Sequence, residues 1–427
     1  MQAPWKVIQL ELSQKISPLT LPDGYQGILV FFCWQGIPLG DREISASELP
    51  LSAAAILNLA VKAISFGVGS QLLGASFAGK LPVDRLHQCP NPLTDWKQLQ
   101  QLEQPLYALK ARWQQPATLS VSVVVCTRDR PEQLKKCLRS LCVLAPSPLE
   151  ILVIDNAPSS DATRQIVSQF PQLKYILEAN PGLSIARNTG IGHCRGDIIA
   201  FTDDDVEVHP QWIFGLEQGF KEPEVMAVTG LMLPAELETP AQVAFYQGSN
   251  SSRWEYQHLI FGRKFFAAML SKGVPVWRIG AGANMAFRSQ VFQLVGSFNQ
   301  MLGAGAAGCS EDSEMWYRIL AQGWQCRYEP TAVIFHYHRH NLKSLQQQMY
   351  QYMRGHIAAL LVQFNRYQHW GNLRRTLIAL PRYYLKRAFG KYIRGDCQPT
   401  LESEVAGCLA GVKYYWQNKD YIAGEEK

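Results

Sequence analysis

No C-x-x-C pair occurs among the 10 cysteines of this 427-residue chain, which leaves no zinc site of the usual cysteine spacing. Several thiols lie inside apolar runs, Cys33 in ILVFFCW and Cys126 in VSVVVCT, as small core hydrophobes do. The N-terminal MQAPWKVIQLELSQK has no long apolar h-region, and with the cysteine usage this predicts a reducing, cytoplasmic location. Basic residues outnumber acidic ones only slightly, 41 Lys and Arg against 35 Asp and Glu. A net charge of +6 argues against a nucleic-acid-binding surface spread over the chain, so no nucleic acid is expected as a partner. The most apolar stretch, Leu49 to Phe77, is interrupted by Lys62 and several glycines, which predicts a buried helix or helix pair and no membrane span. No internal repeat is found. With 47% apolar and 18% charged residues, the composition is that of a folded protein of roughly two or three domains.

Three regions separate by pattern. Residues 1–116 open with strand-like VIQLEL, GILVFFCW and IPLGDREI, with a turn at Gln35-Gly36, and continue through the apolar helical stretch into a connector from Gln88 to Pro116. Nothing there reads as catalytic, and an accessory α+β domain is expected. Residues 117–343 alternate strands and helices: SVSVVVCT, RPEQLKKCLRSLCVL, ILVIDN, ATRQIVSQF, KYILEA, SIARNTGIGHC and DIIAFTDDD, in that order. This is the α/β rhythm of a parallel sheet covered on both faces. Residues 344–427 read as a helical C-terminal extension rich in Tyr, Gln, Arg and Lys.

GAGAAG, Gly303 to Gly308, matches the dinucleotide-binding G-x-G-x-x-G, but its flanks are wrong. SFNQML before it is no buried strand, and Glu311, Asp312 and Glu314 after it would repel a phosphate. The chemistry lies elsewhere. Strands of the α/β region end in Thr127-Arg128-Asp129, in Asp155-Asn156 and in Thr202-Asp203-Asp204-Asp205, and ligands of such sheets bind at the carboxyl ends of strands. Three successive aspartates repel one another unless a cation or bound donors offset them, and oxygen-rich sites of this kind suit Mg²⁺ or Mn²⁺.

VSVVVCTRDRPEQLKKCLRSL, VIDNAPSSDATRQIV, NPGLSIARNTGI, AFTDDDVEVHPQW and SEDSEMWYRILAQGW together resemble the successive motifs of the inverting family 2 glycosyltransferases, over about Val121 to His338. The resemblance implies a GT-A fold, a Rossmann-like mixed sheet, and a nucleotide-diphosphate sugar as donor, a UDP-sugar first. It implies that Thr127 and Asp129 line the nucleotide pocket, that Asp155 accepts from the base, and that Arg187 sits near the phosphates. Asp203 and Asp205 would be the D-x-D pair, with Asp205 the direct ligand of Mn²⁺ or Mg²⁺, Asp203 nearer the ribose and Asp204 a further contact. In SED, Asp312 would be the catalytic base with Glu311 beside it, and the glycines of GAGAAG would form a flexible loop by the acceptor site. The competing reading of SED is a helix cap at Ser310. In FHYHRH, His336 fits best as the metal-side histidine and His338 next.

The chain lacks the Q-x-x-R-W motif of processive members, so addition of single sugars to a saccharide or lipid-linked acceptor is expected, in surface polysaccharide or glycolipid synthesis. Asn372 to Arg394 is basic, aromatic and free of acids, as a stretch lying on the inner face of an anionic membrane would be, or equally a solvated basic helix packed on the catalytic domain; Pro381 argues against one long amphipathic helix there. Two other readings stand beside this one. A sugar-phosphate nucleotidyltransferase would carry a glycine-rich loop after its first strand, where CTRDRPEQ has none. A catalytically silent sugar-nucleotide-binding subunit would not need both D-x-D and E-D.

Overall fold

The computed structural model describes residues 2–73, 118–248 and 256–425; the connector expected from Gln88 to Pro116 lies outside them. The chain opens with a three-stranded sheet. β1 (Trp5–Glu11) runs parallel to β2 (Gly27–Trp34), which pairs antiparallel with β3 (Ile37–Ser45). The unbroken apolar run of β2 follows from burial of both its faces. Leu29, Phe31 and Cys33 join the core beneath the main sheet, while Ile28, Val30, Phe32 and Trp34 pack under α1 (Ala53–Leu73).

The glycines that interrupt the apolar sequence of α1 include a packing contact. A Cβ on Gly67 would lie 2.4 Å from the Leu39 carbonyl oxygen. One 18-residue window of this helix, Ala53–Ser70, is nonetheless long and apolar enough to cross a membrane by length and composition, with a mean hydropathy of 1.5. Its inner face is buried through Ile56, Ala60, Val61 and Ile64. The N-terminal unit is joined to the rest by backbone pairing of Trp5 with Leu237 and by the Tyr256 hydroxyl, which donates to Asp41 at 2.8 Å.

The main sheet is built from β4 (Val121–Thr127), β5 (Glu150–Asn156), β6 (Lys174–Glu178), β7 (Ile198–Asp203), β8 (Val206–Val208), β9 (Val225–Pro234), β10 (Leu259–Phe261), β11 (Asn284–Arg288) and β12 (Gln325–His336). Its order is β10-β12-β9-β11-β7-β4-β5-β6, with β8 paired to the end of β12. The four strands β7-β4-β5-β6 are parallel. The sheet as a whole is mixed, because β11 enters antiparallel between β7 and β9. Alternate residues feed opposite faces: Val124, Leu152 and Ile154 go to one core layer, Val123, Val125 and Val153 to the other.

α2 (Pro131–Leu141) starts on Pro131, where a missing N–H costs nothing, and buries Leu134, Leu138 and Leu141 as its spacing predicts. α3 (Ala162–Val167) and α4 (Leu183–His193) continue the alternation, followed by α5 (Trp212–Gly219), α6 (Pro240–Gly248), α7 (Arg263–Met269), α8 (Val291–Val295) and α9 (Glu311–Ala321).

The C-terminal region is helical: α10 (Leu342–Tyr367), α11 (Trp370–Arg374), a π-turn over Arg375–Ala379, α12 (Leu380–Arg394) and α13 (Leu401–Glu425). Pro381 falls in the first turn of α12, after the π-turn, and so is accommodated without breaking a helix. This region does not hang free of the α/β unit. A Cβ on Gly355 of α10 would lie 2.5 Å from the Cys309 carbonyl oxygen, directly before α9.

Candidate active site

Strand register brings the predicted residues to one edge. Thr127 stands opposite Asp155, and Cys126 opposite Asp203, so the carboxyl ends of β4, β5 and β7 are level. At the other side, β12 pairs its last residue, His336, with Val206 and so sets that histidine beside Asp205. The edge opens into a cleft of about 2380 Å³, whose far wall is formed by α9, α10 and the segment from Arg375 to Arg387.

The three aspartates part company in the structure. Asp204 turns inward and both its oxygens are taken: Thr127 Oγ1 donates to Oδ2 at 2.7 Å and Arg130 Nη1 to Oδ1 at 2.5 Å. Arg130 Nη2 donates to Asp205 Oδ2 at 2.7 Å. The remaining donor atoms converge. One ligand atom each from Asp203, Asp205 and His336 lie within 4.8 Å of one another, with His336 Nε2 3.4 Å from Asp205 Oδ1. Two carboxylates and an imidazole are a donor set that fits Mn²⁺ and, less closely, Mg²⁺. Burial alone would raise the Asp205 pKa, but His336 and Arg130 outweigh it and hold the carboxyl below its usual range, in the ionised form that a ligand requires. His338 is set apart. Its ring stacks on that of His336, with centroids 4.7 Å apart, and rests against Phe245; burial keeps it neutral, with its pKa pushed down to about 3.

Across the cleft, α9 presents the acids of SED. Ser310 occupies the N-cap position but makes no cap hydrogen bond, and its backbone is left-handed at φ 72°. SED is therefore not a serine cap, and a non-glycine residue in that conformation is a local strain of the kind found at functional sites. Arg187 Nη1 donates to Glu311 Oε1 at 2.5 Å, and Nη2 lies 3.5 Å from Asp203 Oδ1 and 3.4 Å from the Gly282 carbonyl oxygen. Glu311 is thus committed to a buried ion pair, although its second oxygen is buried without a partner. Asp312 accepts from the neighbouring Ser313, through its amide and its side chain, and forms no ion pair among the described residues. Burial raises its pKa, against the pull of Arg187. Of the two acids, Asp312 is the one free to take a proton.

GAGAAG forms a closed turn. Gly303, Gly305 and Gly308 all have positive φ, the Gly308 amide donates to the Gly303 carbonyl at 2.8 Å, and the Leu183 amide donates to the Ala304 carbonyl at 2.9 Å. The glycines supply left-handed backbone and a tight fit against α4 and α10, in place of the flexible loop that the sequence suggested.

Two expected nucleotide contacts lie off the cleft wall. Asp129, at φ 54°, spends its carboxylate on the Ser159 amide and hydroxyl, both at 2.8 Å. Asp155 is fully buried; the Tyr175 hydroxyl donates to Oδ2 at 2.9 Å, while Oδ1 has no partner. Arg130 and Gly282 are site residues that the sequence reading did not single out. Arg130 had a signal: the cation that three successive aspartates require sits in the first strand's own loop, between Asp129 and Pro131.

Residues 122–294 match the family described as glycosyl transferase family 2. Among curated proteins, the chain is similar to the pre-mycofactocin glycosyltransferase of Mycobacterium tuberculosis, 26% identical over 233 residues that cover 53% of this chain and 45% of that protein. It is also similar to the succinoglycan biosynthesis protein ExoM of Rhizobium meliloti, 26% identical over 227 residues that cover 50% of this chain and 66% of that one. The match thus spans less than half of the first relative's length. Among solved structures, the mannosyltransferase PcManGT from Pyrobaculum calidifontis, in complex with GDP-Man and Mn2+, aligns at 16% identity and a TM-score of 0.46, over 73% of this chain and 94% of that one. Over residues 122–294, the part that carries the D-x-D edge, the chain thus has the domain of the family 2 glycosyltransferases.

Proposed function

We propose that the protein transfers a sugar from a nucleoside-diphosphate donor to an acceptor hydroxyl with inversion, dependent on a divalent cation, in the synthesis of a surface polysaccharide or glycolipid. The observation that carries this reading is the convergence of Asp203, Asp205 and His336 on one side of a cleft whose other side holds Asp312 free of any ion pair. The relative named for succinoglycan biosynthesis supports the polysaccharide setting.

In this reading Asp203, Asp205 and His336 hold Mn²⁺ or Mg²⁺, which when bound neutralises charge on the donor's diphosphate. Thr127 and Arg130 keep Asp204 and Asp205 in place. Asp155, buried behind the cleft wall against Tyr175, is assigned no contact with the donor. Asp312 takes the proton from the acceptor hydroxyl as that oxygen attacks the anomeric carbon from the face opposite the diphosphate. A single displacement of this kind inverts the centre. Glu311 fixes Arg187 and takes no proton.

A panel of nucleotide sugars, incubated with protein and Mn²⁺ or with chelator, tests the reading through release of nucleoside diphosphate. Release from one donor with metal and none with chelator is expected. No metal-dependent release from any donor would favour the silent binding subunit.

A further inference from the structure

The segment from Arg374 to Arg394 has two faces of different chemistry. Its inner face belongs to the cleft. Leu380 and Tyr384 are buried, Arg387 pairs with Glu404, and Arg375 lies 3.8 Å over the Trp277 ring. Arg375, Tyr384 and Arg387 line the cavity itself. The outer face is apolar and uncovered. Ile378, Leu385, Phe389, Tyr392 and Ile393 recur at helical spacing and are all exposed, Leu385 by 70% and Ile393 by 69%. Folded chains seldom leave a continuous row of large apolar side chains on one helical face without a partner.

The charges around that row select the partner. Arg374, Arg382, Lys386 and Arg394 are exposed beside it, and none forms an ion pair among the described residues. No Asp or Glu occurs from Asn372 to Arg394. Of the acids that contact α12 from outside it, Glu402 is taken by Lys391 and the Tyr392 hydroxyl, Glu404 by Arg387 and the Tyr384 hydroxyl, and Asp396 packs against Gly390. A second copy of this chain would have to bring its own four cations against these. An acidic bilayer offers both the apolar medium and the counter-charge.

We propose that this face docks onto an anionic lipid bilayer, with α12 lying in the plane of the interface. Because the opposite face of the same segment lines the cleft, docking sets the acceptor wall at the membrane surface, within reach of a lipid-linked acceptor. That consequence rests on the transfer reading above; the docking does not.

Full-length protein would be sedimented with phosphatidylcholine vesicles, with and without phosphatidylglycerol, at rising salt. Binding only to the phosphatidylglycerol vesicles, weakening with salt, is expected. Replacing Leu385, Phe389 and Ile393 with Ser should abolish it. Replacing Arg382, Lys386 and Arg394 with Gln should weaken it on the order of 10²-fold. A single Leu385→Trp variant gives a reading that does not depend on how well the triple variants fold: the emission it adds to that of the 11 native tryptophans, taken as the difference from the unaltered protein, should shift to the blue on anionic vesicles. Absence of binding by the unaltered protein, unchanged binding by either triple variant, or an unshifted emission from the Leu385→Trp variant would overturn the proposal. So would a dimer of the unaltered protein that the serine variant converts to monomer, which would assign the face to a second copy.

Discussion

Arg187 joins the two sides of the cleft: one guanidinium nitrogen lies 2.5 Å from Glu311 and the other 3.5 Å from Asp203. The side chains of Arg187 and Glu311 are almost fully buried, so this is an ion pair out of water. It fixes α9 relative to the D-x-D edge and keeps Glu311 from competing with Asp312 for a proton.

Removing the arginine should therefore cost stability before it costs chemistry. Arg187→Gln leaves the Glu311 charge buried and unpaired, a loss of about 3–5 kcal/mol for a broken buried pair. Burial already raises the Glu311 pKa despite Arg187, and without the arginine it rises further. An acid raised in the folded state costs stability at neutral pH and regains it as the pH falls through that raised value. Urea unfolding should show a large deficit for the variant near neutrality and a smaller one in mild acid.

The cation cluster predicts a separation of two histidines. His336→Ala removes a donor atom from the group of three and should weaken Mn²⁺-dependent binding of a nucleoside diphosphate, as should Asp205→Asn. His338→Phe keeps the stacked ring and should leave that binding nearly unchanged. Calorimetry with Mn²⁺ and with chelator checks both.

The glycine turn predicts strain at a named atom. Gly308 has φ 115°, and a Cβ there would lie 2.7 Å from the Gln351 carbonyl oxygen of α10. Gly308→Ala should destabilise by about 1–3 kcal/mol, the cost of a strained backbone position. Gly192→Ala, at a helical position where nothing lies within 4 Å of the added carbon, should not. Thermal melts of the two variants decide this.

The order of strands and helices was legible because the apolar runs of β4, β5 and β7 are buried on both faces and α2 keeps a clean apolar stripe. β11 was not. Its five residues, NMAFR, are too short to show a period, and its place between β7 and β9 comes from long-range pairing. The acids at the strand ends were legible as a set, but their separate duties were not. That Asp204 turns inward and Asp129 binds Ser159 depends on which donors the fold brings near: Arg130 lies 74 residues from Asp204, and Ser159 lies 30 residues from Asp129. The pattern likewise suggested a flexible glycine loop, whereas positive φ angles and backbone bonds to α4 make it a closed turn. The two faces of α12 were hidden in a stretch whose basic and aromatic residues alternate without an obvious period across the π-turn.

The central claim, that Asp312 is the base, is most directly tested by measuring donor affinity and sugar transfer separately for Asp312→Asn. The amide keeps the shape of the side chain but cannot take the proton. Donor should bind nearly as in the unaltered protein, while transfer falls about 10²- to 10⁴-fold, the usual contribution of a positioned base. In the unaltered protein, the raised pKa of Asp312 predicts that kcat/KM drops as the pH falls through a value above the ordinary aspartate range. The variant should lose that limb of the profile. Transfer by Asp312→Asn at a near-normal rate, with the acid limb intact, would contradict the account and move the base to another residue.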